Sequence, residues 1–214
     1  WIYGARDRVD EVFDCSRSVR NDRWLYIRNY HPFLGWNQPS VFSDLGEIQN
    51  EITNYSLNTR TRLSSEQTHY ISPQRAPVEF YDCLADPENT RNLALEKLSP
   101  TQQVSLEKAQ RALKRIRKKT RDVGCLPEGV MADLVEKNRE SIADLAWNGK
   151  LKLDQFWNVA DSVGGESKSA LKFFGSNDPS INFWVVNALK ASSPNHKHKD
   201  DAFRYLGQTR SAEA

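Results

Sequence analysis

His196 and His198 stand two residues apart, with Asp200 and Asp201 close behind, a spacing that could begin a metal site. They lie in the lysine-rich stretch His196-Lys197-His198-Lys199, and zinc needs further ligands on a fixed backbone. The pair reads as a solvated tail. His31 and His69 have no partner at ligand spacing, so no metal site is assigned. Seven of the eleven residues from Arg111 to Arg121 are Lys or Arg, which opens a nucleic-acid reading. No stacking aromatics are interleaved with them, and none of the usual RNA- or DNA-binding motifs is present. The run reads instead as a solvated helix face whose last turn carries cations that complement the helix dipole. Nucleophile signatures are absent: there is no G-x-S-x-G, no glycine-rich phosphate loop and no H-E-x-x-H. The acid pair Asp10-Glu11 reads first as surface or hairpin charges. Cys15, Cys83 and Cys125 lie far apart, and their odd number leaves three buried thiols, or one disulfide and a free thiol.

The elements that must position these residues follow from patterning. A chain of 214 residues can bury a sizeable core without a disulfide or metal staple. Its net charge of +2 creates no global field for a polyanion. Six Trp, seven Tyr and nine Phe argue against disorder, and no apolar run approaches the length of a membrane span. The opening Trp1-Ile2-Tyr3-Gly4, with no initiator Met, sets the expectation of a longer N-terminal part.

Residues 16–20 and 23–28 have strand character and flank Asn21-Asp22, two residues that tolerate positive φ and suit a hairpin loop. Trp24, Tyr26 and Arg28 alternate with Leu25 and Ile27, and the latter two are expected on the covered face. Residues 31–77 form a proline-punctuated connection with a helix at about 43–55, where Leu45, Ile48 and Ile52 recur. Val78 to Leu84 is a third strand of the same sheet, running into Asp86-Pro87, an N-cap with proline at the first helical position. A long helix spans Ser99-Pro100 to Arg121, with Leu106, Ala109, Leu113 and Ile116 as its apolar stripe. After Gly124 come short helices: Leu151 to Val163, Ser167 to Phe174, and one opened by Asp178-Pro179 that runs through Ile181 to Leu189. The fold class is α+β, a small antiparallel sheet packed with a long helix and followed by an all-helical tail.

Two stretches carry a family resemblance. Arg6-Asp7-Arg8-Val9-Asp10-Glu11, then Ser16-Arg17-Ser18-Val19-Arg20 and Tyr26-Ile27-Arg28-Asn29, is similar to the RDR-x-DE, R-x-VR and KYIRN blocks of the sulfatase family. Pro77-Val78-Glu79-Phe80-Tyr81-Asp82, Asp86-Pro87 and Asn92-Leu93-Ala94 resemble that family's P-x-E-x-YD, DP-x-E and NLA signature near its C-terminus. Heparan N-sulfatases are the most similar branch, with a helix of this length, then a Cys and a Pro placed like Cys125 and Pro127. Asn89 departs from the pattern, standing where the family has an acid that would complete a capping box.

The resemblance implies that residues 1–127 are a sulfatase C-terminal subdomain, which closes one side of the substrate cleft, and that 128–214 are a helical appendage. Asp178 to Leu189 looks like one helix of a HEAT-like repeat. The family's nucleophile is a Cys or Ser in Cys-x-Pro-x-Arg converted to formylglycine, assisted by calcium held on Asp and Asn side chains. These all belong to the N-terminal catalytic domain, and none of the three cysteines here stands in Cys-x-Pro-x-Arg. The implied activity is hydrolysis of sulfate esters or sulfamates on sulfated glycans, by an exported enzyme with calcium in its full-length form. This fragment is expected to be inactive, with no metal or cofactor of its own and no nucleic-acid or membrane partner. Arg6, Arg8 and Glu11 are the candidates for residues near the substrate cleft, because guanidinium groups suit a sulfate or carboxylate. The favoured alternative for the same three is salt-bridged positions at a domain interface. Two rival readings stand beside this one: a non-catalytic protein-interaction module, and a phosphatase or phosphodiesterase of the same superfamily.

Overall fold

The computed structural model describes residues 1–57, 62–163 and 178–190, and it is α+β. The chain forms two compact units, Trp1–Leu113 and Lys114–Ala214. In the first, β1 (Ile2–Arg6), β2 (Ser16–Arg20), β3 (Trp24–Asn29) and β4 (Val78–Asp82) make one antiparallel sheet in the order β1-β2-β3-β4. The expected hairpin and third strand are both present. The turn falls one residue later than expected: Arg20 pairs with Leu25, and Asn21 N–H donates to the Trp24 carbonyl, leaving Asp22 and Arg23 as the loop. Neither loop residue takes a positive φ. Asn21 acts through its side chain instead, its Oδ1 accepting the N–H groups of Arg23 at 3.0 Å and Trp24 at 2.7 Å.

The sheet is covered on both faces, which corrects the single covered face drawn from β3. Val19, Tyr26 and Phe80 stand opposite one another across three strands and are buried, and Trp24 stacks on Phe80 at 5.0 Å. Leu25 and Ile27 are only half-buried. The large rings carry more apolar area than the aliphatic pair, so they claim the better-covered face. Arg28 accompanies them because its guanidinium is satisfied, donating to the Pro77 carbonyl at 2.8 Å and lying 5.4 Å from the Tyr30 ring. On the other face Ser16, Asn29, Glu79 and Tyr81 are buried as a hydrogen-bonded set.

Between β3 and β4 run α1 (Glu47–Leu57) and α2 (Ser65–Ile71), the latter begun by a capping box of Ser64 and Gln67. The expected helix near 43–55 is there, as a 3₁₀ turn at Ser43–Leu45 followed by α1, but its stripe is open. Leu45 and Ile48 are 80% and 82% exposed. Asp86-Pro87 starts a turn rather than a helix. Asn89 N–H donates to the Asp86 carbonyl, and Asn89 takes φ +53°, a left-handed conformation that ends any helix and that Asn tolerates. The departure at Asn89 thus suits the local backbone. Helix α3 (Pro100–Thr120) follows, with Ser99 and Gln102 as a reciprocal cap and Pro100 at its first position. Ala109, Ala112 and Leu113 are buried and Leu106 and Ile116 half-buried, which is the expected stripe.

The second unit contains α4 (Glu128–Asn138), α5 (Ile142–Trp147), α6 (Leu153–Ala160) and α7 (Pro179–Lys190). Its core gathers Cys125, Leu145, Phe156, Val159, Val163, Ile181 and Trp184. Ser167 to Phe174, and the tail with His196, His198, Asp200 and Asp201, lie outside the described residues. The basic run is exposed at Lys114, Arg115, Lys118, Lys119 and Arg121, as expected, with one correction. Arg117 is buried, lies 4.4 Å from the Trp157 ring and donates to both carboxylate oxygens of Asp161 at 2.8 and 2.7 Å. It continues the stripe of Leu113 and Ile116 one turn on, so the helix period places it inward. All three cysteines are buried free thiols. Among the described residues no helix is long and apolar enough to cross a membrane.

Candidate functional site

The residues that carry the resemblance tie the sheet together. Asn29 donates through Nδ2 to the Ala76 carbonyl at 2.8 Å and to Glu79 Oε1, and the Tyr81 hydroxyl donates to Glu79 Oε2 at 2.7 Å. Burial, then the neighbouring Glu79 carboxylate, pushes the Tyr81 phenol far up, so it stays a proton donor at any ordinary pH. Asn92 serves the open edge of β4: its Oδ1 accepts the Phe80 N–H and its Nδ2 donates to the Val78 carbonyl, each at 3.0 Å. The side chain thereby occupies backbone groups that would otherwise invite another strand.

Asp82 closes the hairpin end of the same sheet. Its carboxylate accepts Arg23 Nε at 3.0 Å and a terminal nitrogen at 2.6 Å. That hydrogen bond, against some desolvation, holds Asp82 below the usual carboxylate range. A depressed folded pKa contributes stability that is present above the unfolded value and lost as pH falls through the folded one. Asp82→Asn should therefore flatten the acid limb of the stability profile below about pH 4. Urea midpoints from pH 2 to 7 check this, and an unchanged acid limb would refute it.

A second charge cluster borders a cleft of about 420 Å³ lined by Arg6, Val12, Trp36, Asn37, Gln38 and Tyr70 among others. Behind the lining residue Arg6, Asp14 is buried, accepting the Cys15 N–H at 2.7 Å and two nitrogens of the equally buried Arg75. Arg6, leaving the end of β1, brings its Nε to within 3.2 Å of Asp14 Oδ2, while its side chain stays 43% exposed. The guanidinium carbons of Arg75 and Arg6 lie 4.5 and 6.0 Å from the Trp36 ring. The arrangement can hold and orient an anionic or hydroxyl-bearing group. It presents no activated nucleophile.

Of the three residues picked from the sequence, Arg6 lines this cleft. Glu11 sits in the two-residue loop of a tight hairpin closed by Val9 and Val12, with Asp10 at φ +49°. Its carboxylate accepts the Val41 N–H, next to the cleft residue Ser40, and its own N–H and that of Val41 hold its pKa down. Arg8 turns away, its Nε donating to the Asp10 carbonyl at 2.7 Å. Asp14, Trp36 and Arg75 were missed. Their separation of up to 61 residues leaves no spacing signal, and only the fold gathers them.

The sulfatase nucleophile and metal do not fit the residues present. Cys125-Leu126-Pro127-Glu128-Gly129 has the first and third positions of Cys-x-Pro-x-Arg, but Gly129 stands in place of the arginine and Cys125 is wholly buried. Among the described residues no group of three or more His, Cys, Asp or Glu side chains converges to hold a metal ion.

Fold and site together define an α+β scaffold with a cleft lined by Arg6, Trp36 and amide side chains. No family model matches the chain. It is 30% identical over 149 residues to the ulvan-active sulfatase of Formosa agariphila, a match covering 70% of this chain and 22% of that protein. The chain thus spans about a fifth of the length of this curated relative. The similarity supports the sulfatase family and does not single out the heparan N-sulfatase branch.

Proposed function

We propose that this chain is the C-terminal part of a sulfatase that hydrolyses sulfate esters or sulfamates on a sulfated polysaccharide. The observation that carries the reading is the 30% identity to the ulvan-active sulfatase, which agrees with two ordered motif blocks read from the sequence. In this reading the nucleophile, a formylglycine, and the calcium site belong to a catalytic domain preceding residue 1. Residues 1–127 close one side of its substrate cleft, and 128–214 form a helical, HEAT-like appendage. An enzyme acting on a polysaccharide too large to enter a cell is expected to be exported. Ulvan, named by the relative, is the first substrate to assay.

One observation favours a protein-interaction role alongside. Val41, Phe42, Leu45 and Ile48 are each at least 76% exposed and lie within eight residues of one another. Apolar side chains grouped this way mark a contact surface.

The deciding experiment is to recover the longer reading frame and assay its product on an aryl sulfate and on sulfated polysaccharide. A Cys-x-Pro-x-Arg upstream with turnover supports the sulfatase. A Thr or Ser nucleophile with phosphate-ester turnover points to the phosphatase or phosphodiesterase alternative, and a genuine start codon near Trp1 leaves the interaction module. The 214-residue chain alone should release no sulfate from an aryl sulfate or a sulfamate above a heat-treated control. Measurable turnover would mean that the chemistry lies within it.

A further inference from the structure

We propose that the Arg6 cleft is a binding subsite for an acidic sugar, with the guanidinium taking its carboxylate or sulfate and the aromatic and amide side chains taking the ring. The inference rests on the polysaccharide reading above and deepens it. Its first support is charge. Asp14 is already neutralised by the buried Arg75, so Arg6 is a second guanidinium on one carboxylate. One positive charge is left over. The Glu11 carboxylate at the rim is already held by the Val41 N–H and the Ser40 hydroxyl, and among the described residues no Asp or Glu lines the cleft.

The second support is orientation. Arg6 meets Asp14 through Nε, 3.2 Å from Oδ2, while its side chain stays 43% exposed and lines the cleft. With Nε turned to Asp14, the two terminal nitrogens are the pair that can bind a carboxylate or sulfate through two parallel hydrogen bonds. Because Asp14 is fixed by Arg75 and by the Cys15 N–H, the side chain is held before a ligand arrives, which lowers the entropy cost of binding.

The third support is the lining. Trp36 and the 43%-exposed Tyr70 offer flat apolar surface for the C–H groups of a sugar ring. Gln49 Nε2 donates to Asn37 Oδ1, which leaves Asn37 Nδ2 and Gln49 Oε1 as a donor and an acceptor for hydroxyls. The volume of about 420 Å³ falls within the range of small-ligand pockets.

The test titrates the chain with three defined oligosaccharides, followed by amide NMR shifts and calorimetry: an unsulfated oligouronate, a sulfated oligosaccharide without uronate, and an uncharged one. Binding of either acidic probe, with shifts at Trp36 and Asn37 and none from the uncharged probe, supports the subsite. The probe that binds identifies the group Arg6 takes. Arg6→Gln should weaken that binding by about tenfold or more, the loss of a charge-assisted pair, and Arg6→Lys should restore it only in part. Both variants leave the Asp14–Arg75 pair intact, so unchanged melting curves can confirm that they fold. Equal binding of the uncharged probe, no binding of any probe at millimolar concentration, or an Arg6→Gln affinity equal to the parent's would each overturn the subsite. The sulfatase reading would survive such a result, because it is tested separately by aryl sulfate turnover of the longer protein.

Discussion

Asp14→Ala should destabilise the chain by about 3–5 kcal/mol, the cost of removing one partner from a buried ion pair. Both side chains of the Asp14–Arg75 pair are fully buried, and Asp14 also receives the Cys15 N–H and Arg6 Nε. Without the carboxylate, the Arg75 guanidinium stays in the interior beside Trp36 with no counter-charge. The loss is one of desolvation more than of attraction. For that reason Asp14→Leu combined with Arg75→Met should recover most of the stability, although it restores no charge pair. Asp14→Asn should fall between, because it keeps an acceptor for the Cys15 N–H while leaving the cation uncompensated. Urea unfolding of the four proteins reads these differences. A loss under about 1 kcal/mol for Asp14→Ala, or a double variant no better than the single, would show that water reaches Arg75 and that the pair is not buried.

What could be read from the sequence depended on the range of the interaction responsible. Local signals held: Ser99-Pro100 marks the start of α3, and Asp178-Pro179 the start of α7. Periodicity found the strands β2, β3 and β4 and the buried stripe of α3, since both depend on neighbours within a few residues. It chose the wrong face of β3, because alternation says which residues share a face and not which face is better covered. Asp86-Pro87 shows a local signal overridden. The turn that follows is set by Asn89 in a left-handed conformation and by Asp86 accepting the Arg91 N–H at 2.8 Å, and both stop the helix that proline invites. Arg117 fell within a run read as solvated because composition treats seven cations alike, whereas Asp161, 44 residues away, selects one of them. The candidate site was legible only at Arg6. The rest of its charge cluster comes from a residue before β2, the connection after β3 and the segment before β4, and the family motifs gave no pointer to it. The motif residues Asn29, Glu79, Tyr81 and Asp82 instead hold the sheet that brings those segments together.

Trp184→Ala should cost about 3–5 kcal/mol of the second unit's stability, the range for removing a buried aromatic ring. Trp184 is 1% exposed, and with Ile181 and Val185 it makes the buried face of α7, at the i, i+3, i+4 spacing of one helical side. Its indole N–H donates to the Cys125 carbonyl, joining α7 to the loop that precedes α4. Two contributions are therefore superimposed, and Trp184→Phe separates them. Phenylalanine keeps most of the apolar area but leaves the Cys125 carbonyl without its donor, so that variant should lose about 1–3 kcal/mol. Trp147, 62% exposed at the end of α5, is the internal control, and Trp147→Ala should change stability by no more than about 0.5 kcal/mol. Urea unfolding followed by far-ultraviolet circular dichroism reads all three without relying on tryptophan emission. If Trp184→Ala and Trp147→Ala proved equally mild, α7 would not be packed into this core, and residues 179–190 would have to be regarded as an independent helix.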